Sequence, residues 1–385
     1  MFEIQLLNKI SPVGLEKFDR TRYTYAEAME APDAVMVRSA SMHDMELPQS
    51  VKAIARAGAG VNNIPCDACA QKGIVVFNTP GANANAVKEM VLLGLLISSR
   101  KVADSMEWVR TLKGKGEEVG KLVEKGKSQF VGPEIAGKTL GVIGLGAIGA
   151  MVANAAADLG MTVYGYDPYI SVDAAWNLSS QVKHAVNLNE IYEKSDYITI
   201  HVPCNQETKG MVNASSIATM KNGVRILNFA RGELVDTADL IQALEAKKVA
   251  AYVTDFPNDD LLDVSGVTAF PHLGASTPES EDNCAKMAAV ELMDYLENGN
   301  ITNSVNLPAA SMARSGKNRI CIIHKNVPTM LSKISAALES VNIENLLNKS
   351  KKDFAYTMID TNGDVTPDIL KALQAIDGVI RIRAI

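Results

Sequence analysis

The chain has 385 residues, of which 47% are hydrophobic and 21% are charged, and its net charge is −6. This length is too great for one hydrophobic core and predicts two or three globular domains. The negative net charge excludes a protein whose overall field attracts nucleic acid, so an anionic ligand has to be bound by local arginine or lysine side chains.

The first ten residues show no signal-peptide pattern, and no stretch reaches the roughly 18 apolar residues of a membrane span. We therefore expect a cytoplasmic protein with no membrane partner. The five cysteines show no disulfide framework. Cys66 and Cys69 lack a second pair, which favours two half-buried side chains over a metal or redox site, and no metal is expected.

Residues 1–97 alternate short apolar runs with helical stretches, as an α/β unit does. The predicted strands cover residues 4–7, 34–37, 54–55 and 75–78. Ligands of open α/β sheets bind beyond the carboxyl ends of the strands. Arg38 and Arg56 each follow a strand beside small residues, which predicts an anion site, with solvated arginines beside turn glycines as the alternative. A long helical pattern (87–109) and a charged, exposed connection (113–127) come next.

A dinucleotide-binding fingerprint opens a second α/β unit. Gly144-x-Gly146-x-x-Gly149 lies between an apolar run and an Ala-rich helical segment, and Asp167 follows 23 residues after Gly144. The three glycines allow, in order, a tight turn, close approach of the backbone to a pyrophosphate, and packing of the helix on the strand. The free N–H groups of the helix start face the phosphates. Asp167 accepts hydrogen bonds from ribose hydroxyls and repels a 2′-phosphate, which predicts NAD rather than NADP. A glycine turn without ligand is the alternative.

Four further strands alternate with helices and predict a doubly wound parallel sheet, the Rossmann arrangement. They cover residues 197–202, 225–229, 250–254 and 267–270. At the strand ends, Arg231 offers a planar fork suited to a carboxylate, and His272 suits general acid–base catalysis near neutral pH. Asp259 or Asp260, in the loop between them, is a candidate acid to orient that histidine. A surface ion pair and a capped loop histidine are the alternatives.

The C-terminal part predicts a separate small domain. Residues 278–298 show a helical pattern, and a polar linker follows them. Residues 318–385 then show the order strand, helix, strand, strand, helix, strand. This βαββαβ order is the ferredoxin-like arrangement.

Together these motifs resemble the D-isomer-specific 2-hydroxyacid dehydrogenases. The resemblance rests on the fingerprint with Asp167, on Asn228-Phe-Ala-Arg-Gly232, on Pro271-His-Leu-Gly-Ala-Ser-Thr277, and on Val37-Arg-Ser39 with Arg56-Ala-Gly-Ala-Gly60. It covers essentially the whole chain and implies a flavodoxin-like substrate domain (1–97 and 276–306), a Rossmann NAD-binding domain (98–275), a linker (307–317) and an ACT-like regulatory domain (318–385).

The resemblance also implies an activity, which is the NAD-dependent oxidation of a small anionic D-2-hydroxy acid. The Arg38 and Arg56 runs imply 3-phospho-D-glycerate as the substrate. Reduction of hydroxypyruvate or glyoxylate is the alternative within the same chemistry. An NAD-sensing interaction protein without turnover is the alternative of another class, although a sensor has no need of Arg231 and His272.

The residues implied for the site fall into three groups. Arg231 would bind the substrate carboxylate, His272 would donate the proton in the reducing direction, and Asp259 would replace the family's Glu, because the Glu-Pro pair is absent and one position is deleted. The residues implied to line NAD are Gly144, Gly146, Ala147, Ile148, Gly149, Asp167, His201, Val202, Pro203, Phe229, Ala230, Arg231, Asp255, His272, Leu273, Gly274 and Ala275. Those implied to bind the rest of the substrate are Arg38, Ser39, Arg56, Gly58, Ala59, Gly60 and Asn78.

His324, Asn326 and Asn342 resemble the serine site of ACT domains. This resemblance predicts L-serine as an effector and a homodimer or homotetramer built partly from this domain. Thr329 stands where the family has Gly, and its Cβ could crowd the ligand. Ordinary capping and turn residues in an oligomerisation domain are the alternative.

Overall fold

The computed structural model describes residues 1–172 and 174–385 in full and residue 173 by its backbone. The chain divides into two compact units, one of Met1–Asn83 with Pro278–Ile385 and one of Ala84–Thr277. Among the described residues, every helix is too short or too polar to cross a membrane.

The first unit begins with a five-stranded parallel sheet. Its elements are β1 (Phe2–Leu7), α1 (Pro12–Leu15), β2 (Tyr23–Ala26), β3 (Ala34–Val37), β4 (Ala53–Arg56), α2 (Cys66–Gln71) and β5 (Val75–Phe77). The strand order β2-β1-β3-β4-β5 is the flavodoxin-like order, which confirms the predicted fold. β3 is buried along its whole length because both faces of a parallel sheet are covered. β2, a short edge strand, is absent from the strands predicted from the sequence.

The second unit contains a seven-stranded parallel sheet. Its elements are α3 (Ala84–Arg100), α4 (Val102–Arg110), α5 (Val119–Gly126), β6 (Thr139–Ile143), α6 (Ala147–Asp158), β7 (Thr162–Tyr166), α7 (Val172–Trp176), β8 (Lys183–His184), α8 (Leu188–Lys194), β9 (Tyr197–Ile200), α9 (Ala214–Thr219), β10 (Val224–Asn228), α10 (Thr237–Glu245), β11 (Val249–Thr254) and β12 (Val267–Ala269). The order β12-β11-β10-β9-β6-β7-β8 confirms the predicted Rossmann arrangement. It reverses between β6 and β9, where doubly wound sheets bind ligands.

Helix α3 belongs to the second unit, whereas the sequence analysis places residues 84–97 in the substrate domain. Its Leu95 is buried in the same core as Leu227 of β10. Gly94 permits this close packing, since a Cβ there would lie 2.8 Å from Leu227 Cδ2. The helix predicted over 87–109 is two helices, because Lys101 adopts a left-handed conformation (φ 46°) between α3 and α4.

The chain then returns to the first unit with a four-stranded antiparallel sheet. The elements are α11 (Pro278–Asn298), β13 (Asn318–Lys325), α12 (Met330–Ala337), β14 (Ile343–Lys351), β15 (Phe354–Thr361), α13 (Pro367–Gln374) and β16 (Val379–Ala384). Their βαββαβ order and the strand order β14-β15-β13-β16 confirm the predicted ferredoxin-like arrangement. A small core that includes Ile322, Ile334, Ile359 and Leu373 joins α12 and α13 to one face.

The other face of the antiparallel sheet packs against the rest of the first unit. Cys321 and Tyr356 belong to the same continuous core as Leu292 of α11 and Ile4 of β1. The Tyr356 hydroxyl donates a hydrogen bond of 2.7 Å to the Gly299 carbonyl, just beyond α11. The C-terminal sheet and the N-terminal sheet therefore share one hydrophobic core.

A buried ion pair stabilises the contact between the C-terminal sheet and the rest of the first unit. Arg319 Nε lies 2.6 Å from Asp360 Oδ1 and Nη2 lies 2.8 Å from Oδ2, and both side chains are fully buried. Arg319 Nη1 donates to the carbonyls of Asn298 and Met312, and the Ser315 N–H donates to Asp360. Burial alone would raise the pKa of Asp360, but the hydrogen bonds and charge of Arg319 outweigh it and lower that pKa.

Candidate active site

The loop between β6 and α6 has the geometry that a pyrophosphate needs. Gly144 has φ 89°, and a Cβ there would lie 2.7 Å from the His201 carbonyl oxygen. A Cβ on Gly149 would collide with the Gly144 carbonyl oxygen, so this glycine sets the close approach of helix to strand. Gly146, the N-cap of α6, faces open space, and the first N–H groups of α6 lack helical partners. These positions fit the phosphates of a dinucleotide.

Asp167 follows β7 and is held beside this loop by backbone groups. Its Oδ2 accepts a hydrogen bond of 2.9 Å from the Leu145 N–H, and its Oδ1 accepts one of 2.9 Å from the Tyr169 N–H. A carboxylate has about four acceptor positions, so two remain for ribose hydroxyls. Asp167 is therefore placed to accept hydrogen bonds from the ribose of a dinucleotide, and this carboxylate and the glycine loop fit NAD.

The segment His201-Val202-Pro203 follows β9 and forms another wall of the loop. The His201 N–H donates to the Ile143 carbonyl at 2.8 Å, and its ring Nε2 lies 2.9 Å from Thr199 Oγ1. Burial lowers the pKa of His201, so its imidazole is neutral near pH 7.

Asn228, at the end of β10, fixes the turn that carries Arg231. The buried Asn228 Oδ1 accepts hydrogen bonds from the N–H groups of Ala230 and Arg231, at 3.1 and 3.3 Å. Its Nδ2 donates to the Arg231 carbonyl at 2.8 Å. Phe229 is buried below the turn, and the Arg231 side chain is exposed. This role of Asn228 is not predicted from the sequence, although Asn228 stands inside the run that carries the family resemblance.

Arg231 and His272 contact the same aromatic ring. The guanidinium carbon of Arg231 lies 5.8 Å from the centroid of Phe256, and the His272 ring centroid lies 4.7 Å from it. His272 has φ 47°, and its N–H donates to the Asp255 carbonyl at 3.0 Å. The second unit thus brings together the predicted carboxylate ligand and the predicted acid–base residue. Phe256, which joins them, carries no signal in the sequence beyond its place next to Asp255.

The Asp255 carboxyl group interacts electrostatically with both Arg231 and His272. It is 1% exposed, and its Oδ2 accepts a hydrogen bond of 2.9 Å from the Gly274 N–H. Its Oδ1 has no hydrogen-bond partner among the described residues. Burial raises the pKa of Asp255, while the Gly274 N–H and the charges of His272 and Arg231 oppose that rise.

Asp259 and Asp260 lie in a 3₁₀ turn (Asp259–Leu261) that Asn258 caps through its side chain. Both are exposed, and among the described contacts neither forms a hydrogen bond or ion pair with His272. The catalytic role of Asp259 stays a prediction.

The predicted anion-site residues of the first unit are linked to one another. Arg56 Nε donates to the Arg38 carbonyl at 3.1 Å, and a Cβ on Gly58 would collide with the Arg56 guanidinium. Asn78 Nδ2 donates to the Ala59 carbonyl at 2.6 Å. The neighbouring Ser39 N–H donates to Asn8 Oδ1, and Gly60 lies in the loop that follows β4.

Glu281, in the first turn of α11, forms an ion pair with Arg38. Both side chains are close to half exposed, so solvent screens the pair. No sequence signal points to this contact, because the two residues are far apart in the chain.

The predicted effector residues make separate local contacts. His324 is 2% exposed, and its ring nitrogens lie 2.8 Å from Thr357 Oγ1 and 2.8 Å from the Lys325 carbonyl oxygen. Asn326 Nδ2 donates to the Lys352 carbonyl, and Asn342 Nδ2 donates to Glu344. Thr329 has φ 64°, a conformation that favours the glycine it replaces.

Comparison with known proteins gives the site its chemical context. Residues 92–274 match the model of the D-isomer specific 2-hydroxyacid dehydrogenase, NAD binding domain. The chain is 36% identical over 309 residues to D-3-phosphoglycerate dehydrogenase of Archaeoglobus fulgidus (77% of this chain, 56% of the relative). It is 33% identical over 333 residues to that of Bacillus subtilis (80% and 60%). The chain thus spans little more than half the length of these curated relatives.

Solved structures resemble the chain over about four fifths of its length. The cofactor (NAD+) bound 3-phosphoglycerate dehydrogenase of Entamoeba histolytica superimposes with a TM-score of 0.60 at 27% identity, over 79% of this chain and 98% of that one. The D-mandelate dehydrogenase of Rhodotorula graminis has a TM-score of 0.66 at 22% identity, over 81% and 99%, and shows the same fold.

Proposed function

We propose that the chain is a member of the D-isomer specific 2-hydroxyacid dehydrogenase family and that it oxidises 3-phospho-D-glycerate to 3-phosphohydroxypyruvate, the first step of serine biosynthesis. The observation that carries the proposal is the contact of Arg231 and His272 with one Phe256 ring beside the buried Asp255. A positive fork for a carboxylate and a titratable base for a hydroxyl proton are the two groups that this oxidation requires from the protein.

The glycine loop and Asp167 would hold NAD, and the bound cofactor would supply the hydride acceptor for C2 of the substrate. Arg231 binds the substrate carboxylate through its planar guanidinium and fixes the orientation of C2. His272 takes the proton of the C2 hydroxyl and becomes an imidazolium. The ionised Asp255 carboxylate interacts with the charge of His272. Its backbone carbonyl also positions the histidine through the His272 N–H.

Arg38 and Arg56 are the groups proposed to bind the phosphate. Two strand-end arginines, with the backbone of Gly58 and Ala59 held beside Arg56, provide charge-assisted hydrogen bonds to an oxyanion. The relatives named D-3-phosphoglycerate dehydrogenase support this substrate.

The test is the rate of NADH formation, followed by absorbance, with 3-phospho-D-glycerate and with unphosphorylated D-glycerate. We expect a much larger kcat/KM for the phosphorylated substrate, and we expect Arg56→Gln to remove most of that difference. Equal kcat/KM values for the two substrates would contradict the proposal of a phosphate site.

The second candidate function is a glyoxylate or hydroxypyruvate reductase. The Arg38–Glu281 ion pair favours it, because a carboxylate already neutralises one of the two arginines. Comparing kcat/KM for the reduction of glyoxylate and hydroxypyruvate by NADH with kcat/KM for the reduction of 3-phosphohydroxypyruvate decides between the two functions.

For the C-terminal sheet, we further propose that L-serine binds near His324, Asn326 and Asn342 and slows turnover in a homodimer or homotetramer. The βαββαβ order supports this role. Because this sheet shares a core with the rest of the first unit, the full chain is the sample for calorimetric titration with L-serine. Absence of binding heat together with absence of inhibition at millimolar L-serine would contradict the proposal that the C-terminal sheet binds serine. A cytoplasmic location stays a prediction from the sequence.

A further inference from the structure

A cavity of about 640 Å³ lies in the first unit, where β16 meets the N-terminal sheet region. Its lining includes four cationic side chains, Lys52, Lys72, Arg381 and Arg383, and no Asp or Glu. We call it the basic cavity. Its size falls within the range of small-molecule sites, about 300–1,000 Å³.

Most of this positive charge has no counter-charge. Lys52 forms an ion pair with Asp33 and is neutralised. Arg381 donates to the carbonyls of Gln49 and Val51, and Arg383 donates to carbonyls at the end of α11. Carbonyl groups are neutral, so both guanidinium charges remain. The Lys72 ammonium forms no hydrogen bond or ion pair among the described residues.

Arg381 and Arg383 lie two residues apart on β16, so their side chains leave the same face of the strand. Burial lowers the pKa of Arg381, and the charge of Arg383 adds to that shift. Each guanidinium has five N–H donors, and the contacts above use only part of them. An anion in the basic cavity would therefore find free donors and would relieve a like-charge repulsion.

The walls of the basic cavity are closely packed, which distinguishes it from a loose surface gap. Gly73 has φ 67°, and a Cβ there would lie 2.8 Å from Arg381 Cβ. The turn that carries Lys72 thus approaches β16 as closely as glycine allows. Ser50 is among the lining residues, and its buried Oγ has no hydrogen-bond partner among the described residues. Leu47 and Ile74 add apolar surface.

We propose that the basic cavity binds a small phosphate-bearing anion at a site separate from Arg38 and Arg56. The phosphate contacts Lys72, Arg381 and Arg383, and the apolar wall accepts the organic body of the ligand. Because the lining comes from the N-terminal sheet region and from β16, the bound anion also strengthens the contact of the C-terminal sheet with the rest of the unit.

The experiment is calorimetric titration of the full chain with inorganic phosphate at constant ionic strength. It is carried out on Arg56→Gln, which weakens phosphate binding at the proposed substrate site. Adding Lys72→Gln should weaken the remaining binding about five- to tenfold, the effect of losing one charge-assisted contact from an exposed lysine. The matched control is Lys17→Gln, an exposed lysine of the same unit outside the cavity, which should change Kd by less than about twofold.

Absence of phosphate binding in Arg56→Gln, or equal Kd values with and without Lys72, overturns the proposal. The outcome is independent of the proposed function. If Lys72→Gln weakens phosphate binding in the Arg56→Gln background and, as a single substitution, leaves the KM for 3-phospho-D-glycerate unchanged, the two sites are separate. If the chain does not oxidise 3-phospho-D-glycerate but Lys72→Gln still weakens phosphate binding, the anion site is supported and the proposed function is contradicted.

Discussion

Replacing Asp360 by Asn tests the attachment of the C-terminal sheet, because it removes one charge and keeps the side-chain volume. Both members of the Arg319–Asp360 pair are fully buried, so the variant leaves a buried guanidinium without a counter-charge. Breaking such a pair costs about 3–5 kcal/mol. A unit of this size loses about 2–4 °C of Tm per kcal/mol, and we therefore expect the Tm of the first unit to fall by about 6–20 °C.

Two control variants separate the charge from the packing. Ser315→Ala removes one hydrogen bond to Asp360 (Oγ to Oδ2, 3.1 Å) and should cost only about 1 kcal/mol. The double variant Arg319→Met with Asp360→Leu removes both charges and should recover most of the lost Tm. The measurement is scanning calorimetry near pH 7. A Tm for Asp360→Asn within about 2 °C of the parent would refute the reasoning.

The same pair predicts a pH dependence. Since the pKa of Asp360 is lowered in the folded state, its stabilisation is present above the unfolded pKa of about 3.9 and is lost as the pH falls through the folded pKa. The Tm difference between the parent and Asp360→Asn should therefore stay constant from about pH 7 to pH 5 and decrease in stronger acid. A difference that decreases already between pH 7 and pH 5 would point to another group.

Four further substitutions test the catalytic and cofactor groups. Asp167→Ala should relax the preference for NAD over NADP in kcat/KM, and equal use of both cofactors by the parent would contradict the assignment. His272→Ala should lower kcat by about 10²–10⁴ in the NADH assay, with the NAD affinity as the control for folding. Arg231→Lys should mainly raise the substrate KM, because an ammonium cannot make the bidentate contact. Gly149→Ala should abolish NAD binding in a fluorescence titration, since its Cβ collides with the Gly144 carbonyl.

The sequence predicts the parts of this structure that depend on neighbouring residues. The fingerprint glycines and Asp167 lie within 23 residues, and each has a local backbone or charge requirement. The alternation of strands and helices is also local, and it predicts both parallel sheets and the ferredoxin-like order. Lys101 breaks a helical pattern without Gly or Pro, so the separation of α3 from α4 had no local signal.

The contacts that depend on distant residues could not be predicted in this way. Phe256 joins Arg231 and His272 only because β10, β11 and β12 are adjacent in the sheet. Glu281 meets Arg38 across 243 positions of the chain. The sequence around Asp259 does not indicate that Asp255 is the buried acid whose charge interacts with His272.

Helix α11 connects two of these distant contacts. Its first turn provides Glu281 for Arg38, and its last turn provides the carbonyls that Arg319 and Arg383 bind. With 21 residues, the helix is about 31 Å long, and such a helix changes its length very little. A displacement of its carboxyl end along the axis therefore reaches its amino end almost undiminished. If a ligand moved the antiparallel sheet and shifted this helix by about 1–2 Å along its axis, Glu281 would move relative to Arg38, and the ion pair that neutralises this half-exposed arginine would weaken.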